Sequence, residues 1–162
     1  MNRTIEDARI TLRQHWEKGM ACPCCTQNVK LYRRKITSTM AAFLIEFYCA
    51  GAYGDRWMTV NDRKWKYMRD GMYAKLRYWG LVEPHPKNPI SGRPTKKSGG
   101  SWRVTPLGCE FVHGNVTVQK FVRVFDHRRL KIEQYERLDR IPITIKDALT
   151  DRFNYTDLML DR

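Results

Sequence analysis

The sequence predicts an α+β protein: a winged-helix-like domain preceded by an N-terminal Cys-rich turn and followed by a small mixed α/β extension. Three observations predict it. Between residues 37 and 114 the patterns run helix, short strand, helix, helix, strand, long basic loop, strand, which is the order of a winged helix-turn-helix. One helix in that series, MAAFLIEFYCAG, is apolar on nearly every side and should be the buried support of the fold. The charge is also lopsided: residues 1–132 carry 25 Lys and Arg against 10 Asp and Glu, whereas 133–162 carry 5 against 7. The expected divisions are 1–36 (helix and Cys-rich turn), 37–114 (winged-helix-like domain) and 115–162 (extension).

Taken in order, Ile5, Ala8, Leu12 and Trp16 stand at helical spacing and predict a short amphipathic helix. A compact turn, CPCC, follows, and then a basic extended run, KLYRRKI. Thr37 or Ser38 is placed to cap the apolar helix, because a hydroxyl there can accept a free amide of the first turn. WMTV (57–60) reads as a short strand. The next stretch, NDRKWKYMRDGMYAKLRYWG, reads as one or two helices loosened near Gly71 and capped by Gly80. Trp65, Met68, Met72, Leu76 and Trp79 form its apolar side.

LVEP and SWRVT read as two strands joined by the Pro-, Gly- and Lys-rich segment HPKNPISGRPTKKSGG, and TPLGCEFVHG opens another helix. Beyond Gly114, VTVQKFVRVFD alternates like a strand and RLKIEQYERL fits a strand or a short helix. ITIKDALTDRFNYTDLML predicts one or two short helices, with Thr156 or Asp157 near a cap.

A formal net charge of +13 on 162 residues points to a polyanionic partner. The candidate nucleic-acid contacts are Lys66, Arg69, Tyr73 and Arg77 on the presumed recognition helix, with Lys87, Arg93, Lys96, Lys97 and Arg103 on the loop and returning strand. No acid occurs from Pro84 to Arg103, as a phosphate-seeking wing requires. Arg33 and Arg34 add a third basic cluster, which equally fits an edge strand protected from self-association. Duplex DNA is the favoured partner. Two others are open: unpaired RNA stacked on exposed rings, and a host protein bound through a surface bearing Trp16, Trp57 and Trp102.

Five cysteines without a secretory pattern argue for thiols or metal ligands rather than a disulfide framework. Cys22 and Cys25 form a C-x-x-C pair, and Cys109-x3-His113 has acceptable spacing for a second pair, so one structural zinc ion is a possible cofactor. A ligand-free reduced turn accounts for the pattern about as well. A redox role is disfavoured, because no βαβ pattern surrounds the pair.

The polar start MNRTIEDARITLRQHW and the lack of a long apolar run predict a cytoplasmic protein that does not enter a membrane. No enzyme is expected. The phosphate-binding loop, nucleophile-elbow and zinc-protease patterns are missing, and Asp139, Asp147, Asp151 and Asp157 are spread as caps and surface charges would be.

The runs CPCCTQNVKLYRRKITSTMAAFLI, AKLRYWGLVEP, SWRVTPLGCEFV and KDALTDRFNYTDLM together resemble a family of small bacteriophage proteins. WRVTPLGCEFV also resembles the wing-to-helix passage of MarR-like winged-helix regulators, over about residues 80–112. The first resemblance implies a phage or prophage origin and action inside an infected bacterium. The second implies a DNA-binding wing, although MarR-like regulators dimerise through long terminal helices and this tail is short and broken.

Overall fold

A computed structural model of the 162-residue chain describes residues 4–86, 100–131 and 137–160. Its centre is helix α2 (Ser38–Cys49), whose first turn is capped by the Thr37 hydroxyl accepting the Met40 amide at 3.2 Å. Met40 through Ile45 and Phe47 are buried, as the unbroken apolar pattern requires. Phe43 and Phe47 stack with ring centroids 5.5 Å apart, and Trp65 meets both edge-on at 5.6 and 5.4 Å. The one acid of this helix, Glu46, is satisfied by the backbone: its carboxylate oxygens accept the amides of Lys66 and Tyr67 at 2.8 and 3.1 Å.

A three-stranded antiparallel sheet packs beside α2. Its strands are β4 (Met58–Thr59), β5 (Val82–Pro84) and β6 (Ser101–Val104), in the order β4-β6-β5. The register pairs Met58 with Trp102 and Val82 with Val104. β5 and β6 are therefore antiparallel neighbours. Helix α3 (Pro106–Val112) follows at once, with Thr105 as cap and Pro106 in the first turn, where no amide is lost. Gly108 lets α3 lie against the sheet: a Cβ there would sit 2.2 Å from the Leu81 carbonyl oxygen and 2.6 Å from Val104 Cγ1.

The second sheet joins the two ends of the chain. β3 (Tyr32–Lys35) pairs antiparallel with β8 (Phe121–Phe125), which pairs with β9 (Arg128–Arg129), giving the order β3-β8-β9. Val122 and Val124 turn into the core. On the opposite face Trp16 packs on Phe125 at 5.9 Å, just past helix α1 (Ile5–His15), which opens with a Thr4/Asp7 capping box. Two short pairs complete the strands: β1 (Met20–Ala21) with β2 (Asn28–Val29), and β7 (Val118–Gln119) with β10 (Pro142–Ile143). Helices α4 (Ile145–Leu149) and α5 (Tyr155–Leu160) cover α2 from the far side, burying Ile145, Ala148, Leu149 and Leu158 in the same core. That core runs from Ile36 to Leu158, across both divisions expected from sequence.

The mixed α+β class is as the sequence predicts. Two local expectations are corrected. Residues 63–71 are not helical, and the helix that follows, Met72–Trp79, is a 3₁₀ helix. Asp70 and Gly71 both have positive φ, 41° and 65°, which no continuous α-helix accommodates. VTVQKFVRVFD is two strands rather than one, parted at Lys120, whose amide bonds the Ile141 carbonyl while its own carbonyl accepts the Ile36 amide. Asp157 lies near the cap of α5, as expected: the Asn154 side-chain oxygen accepts its amide at 3.1 Å. No helix among the described residues is long and apolar enough to cross a membrane.

Candidate nucleic-acid interface

The 3₁₀ geometry decides which side chains of Met72–Trp79 face outward. With three residues per turn, Tyr73, Leu76 and Trp79 eclipse one another. Leu76 and Trp79 are buried, and Trp79 Nε1 donates to the Gln119 carbonyl at 2.6 Å. Tyr73 belongs to that inner face. It meets Trp102 edge-on at 5.4 Å and Phe43 at 6.4 Å, and burial pushes its hydroxyl pKa above the usual value. Tyr73 therefore does not lie between Arg69 and Arg77 on one surface, as an α-helical reading required. Arg77 sits on a different face, with its guanidinium over the Tyr78 ring at 5.2 Å.

An open groove of about 500 Å³ begins at Arg77. Its walls are the end of the 3₁₀ helix, the foot of β5 at Val82–Pro84, and the β8–β9 hairpin. That hairpin closes through Asp126 and His127, both at positive φ (47° and 59°), the signature of a two-residue turn that follows the natural strand twist. The turn carries His127 to the rim, and Arg129 lies behind it, donating Nη1 to the Tyr78 carbonyl at 3.2 Å. Arg77, His127 and Arg129 thus line one depression with Tyr78 and Pro84 between them. The acid beside them, Glu83, is neutralised by Arg103 Nε at 2.7 Å. His127 and Arg129 carried no role in the sequence reading. The available signal was a turn-forming Asp-His pair followed by Arg128-Arg129, at the break between the runs VTVQKFVRVFD and RLKIEQYERL.

The other expected contacts are dispersed. Arg69 is exposed on the irregular segment, and Lys66 is exposed beside it with its ammonium over the Tyr67 ring. Arg103 is committed inside the structure: it bonds Glu83 and the Gly54 carbonyl, and stacks 4.2 Å from the Trp57 ring centroid. Arg33 is committed as well, lying 3.6 Å over Phe121 and donating Nε to Asp139 at 2.6 Å. Arg34 lies over the exposed ring of Tyr32 at 5.2 Å, and its Nε is buried without a partner. Lys87, Arg93, Lys96 and Lys97 lie outside the described residues.

Asp139 is the hub of the second sheet. Its carboxylate is 3% exposed and accepts Arg33 Nε and Arg123 Nε, both at 2.6 Å, while Arg123 Nη1 also reaches Glu17 at 2.9 Å. Burial alone would raise the Asp139 pKa, but the two guanidinium groups hold it below the usual carboxylate value. Asp147 serves the α4 capping box, where the Thr144 amide and hydroxyl hold its carboxyl low. Among the described residues no three His, Cys, Asp or Glu gather in a way that could hold a metal ion.

The expected ligands Cys22, Cys25, Cys109 and His113 fall on two separate elements. Cys22 and Cys25 lie in the turn between β1 and β2, while Cys109 and His113 lie on and just after α3. His113 Nε2 is 2.7 Å from the Tyr48 hydroxyl, and burial pushes the Cys109 thiol up. The Cys22 sulfur faces the amides of Cys24 and Cys25 and the Cys25 thiol, which hold its pKa below the ordinary value. The expected tryptophan surface is also corrected: Trp102 is 7% exposed inside the core, and Trp57 is half-buried between His85 and Arg103. No known protein family, curated protein or solved structure matches the chain.

Proposed function

We propose that the chain binds duplex DNA, seating a phosphate backbone in the Arg77–His127–Arg129 groove with the basic residues of the sequence 87–99 adding further contacts, as a winged-helix-like protein of phage origin acting in the host cytoplasm. One observation carries the reading. Three basic side chains line an open groove at the foot of β5, the strand that leads into a segment with four bases and no acid. The element order supports it too: α2, β4, the 3₁₀ helix, β5, the basic segment, β6 and α3, with strand order β4-β6-β5. The departure from the usual plan is chemical. A 3₁₀ helix that buries its aromatic ring inward has fewer side chains for base edges, so backbone contacts dominate and sequence preference is weak.

Anisotropy of labelled duplex and single-stranded DNA, each titrated with the protein across a range of salt, tests the reading. Tighter binding to duplex, with a steep salt dependence, supports it. Preference for single strands redirects it to RNA-type stacking on exposed rings. Binding no stronger than that of an unrelated polycation overturns it in favour of a protein partner.

A further inference from the structure

Helices α4 and α5 and the segment at Lys66–Tyr67 border two neighbouring open depressions of about 430 and 490 Å³, the size of small-ligand sites. They share no residue with the groove at the foot of β5. Phe153 and Asn154 line both, so Phe153 stands where the two meet. The depressions then repeat one set of groups. The first adds Tyr155, Lys146 and Asp151; the second adds Tyr67, Lys66 and Asp157, with Arg152 as a further cation. In each, a lysine ammonium lies over a half-buried tyrosine ring, Lys146 at 5.3 Å from Tyr155 and Lys66 at 5.2 Å from Tyr67. The rings are fixed by their surroundings. The Tyr155 hydroxyl donates to the Val112 carbonyl at 2.9 Å, and Tyr67 meets Phe153 edge-on at 5.3 Å. Arg152 is placed over Phe153 at 5.2 Å and donates to the Thr39 hydroxyl at 3.3 Å.

A ring, a cation and a carboxylate, twice in succession, correspond to what a nucleotide presents: a flat base face, a phosphate and a hydrogen-bonding base edge. We propose that the two depressions hold two consecutive nucleotides of an unpaired polynucleotide strand, one on each side of Phe153. Each base packs against Phe153 and the local tyrosine, and the flexible lysine head moves from the ring to the adjoining phosphate. A base inside a duplex has both faces covered by its neighbours, so the site admits only unpaired bases. The two acids select among them. Asp151 and Asp157 accept a hydrogen bond from the amino group of cytosine or adenine, and repel the carbonyl that thymine and uracil carry in its place. A surface built only to hold phosphate gains nothing from carboxylates, whereas one that reads base edges uses them. The recognised chemistry, base and phosphate, is common to single-stranded DNA and RNA.

The test uses the full chain and short labelled oligomers of cytosine and of thymine or uracil, as DNA and as RNA. Binding is followed by anisotropy at a salt concentration that suppresses purely ionic attraction. The cytosine oligomers should bind about tenfold more tightly than their thymine or uracil counterparts, and the tighter sugar names the natural strand. Phe153→Leu keeps the bulk but not the ring and should weaken cytosine binding about tenfold, whereas Phe153→Tyr retains it. Asp157→Asn, at an exposed position, should narrow the preference for cytosine. Tyr53→Leu removes an exposed ring outside the site and should change neither. Circular dichroism checks that the variants are folded. Equal affinity for cytosine and thymine or uracil, full binding by a folded Phe153→Leu chain, or the same loss on Tyr53→Leu would each overturn the proposal. So would failure of every oligomer to bind. No duplex enters the experiment, so its outcome stands apart from that of the duplex-binding reading.

Discussion

The two sheets of this molecule are held in place by different forces. The β4-β6-β5 sheet sits on α2 through apolar packing, with Phe43, Phe47, Trp65 and Trp102 in edge and stacked arrangements and Gly108 allowing α3 to approach the backbone. The β3-β8-β9 sheet presents Val122 and Val124 to that core, but its outer face is clamped by charge: Arg33, Arg123, Asp139 and Glu17 form one bonded network. The first region loses stability with lost volume, whatever the pH. The second depends on a carboxylate staying ionised, so it responds to acid. In this way some of the cations of a strongly basic protein are held inward.

The largest expected effect breaks the apolar side. Gly108→Ala drives a methyl into the Leu81 carbonyl, an overlap with backbone that no rotamer relieves. The cost should exceed the about 1–3 kcal/mol usual for an added methylene, and expression should give little folded protein. Phe47→Ala should cost about 3–5 kcal/mol in denaturant unfolding, with the same loss at pH 7 and pH 4.

Asp139→Asn should cost about 3 kcal/mol near neutrality, because it leaves the buried Arg123 with only the half-exposed Glu17 carboxylate to balance it. The pH dependence has a definite sign. The native Asp139 pKa is depressed, so its contribution is fully present above the ordinary carboxylate pKa and is lost as pH falls through the depressed native value. The wild-type protein should therefore lose stability on acidification through that window more steeply than Asp139→Asn, and the gap between them should narrow. Equal slopes would show that the clamp carries no net charge stabilisation. The smallest effect is at the α2 cap: Thr37→Ala should cost about 1 kcal/mol, independent of pH, in the same unfolding experiment.

The difference between the regions also explains what the sequence made legible. The apolar half was readable because its signals are local: the α2 stripe, the Thr37 cap, the Pro106 first turn and the β4, β5 and β6 runs all stand where their residue patterns predict. The charged half was not, because Arg33 and Asp139 are 106 positions apart, and no local pattern pairs them. The same distance effect hid the candidate site. Arg77 was found from its own segment, but its neighbours His127 and Arg129 come from a hairpin some 50 residues later.

Within Arg63–Trp79 the apolar residues were identified correctly while the backbone was not. Trp65, Leu76 and Trp79 are buried, yet positive φ at Asp70 and Gly71 and the pull of the Glu46 carboxylate on two amides replace an α-helix by a loop and a 3₁₀ helix. That change turns Tyr73, half-buried, against the core, and with it part of the expected contact face.

The central claim is that the groove at the foot of β5 holds nucleic-acid phosphate. The most direct test is the slope of log affinity against log salt for duplex DNA, measured for the wild-type chain, Arg77→Ala and Arg129→Ala, with Arg33→Ala as a control already bonded to Asp139. Each groove variant should lower the slope by about 1 and weaken binding similarly across sequences, while the control leaves the slope unchanged. Unchanged slopes for both groove variants, with wild-type affinity retained, would contradict the account.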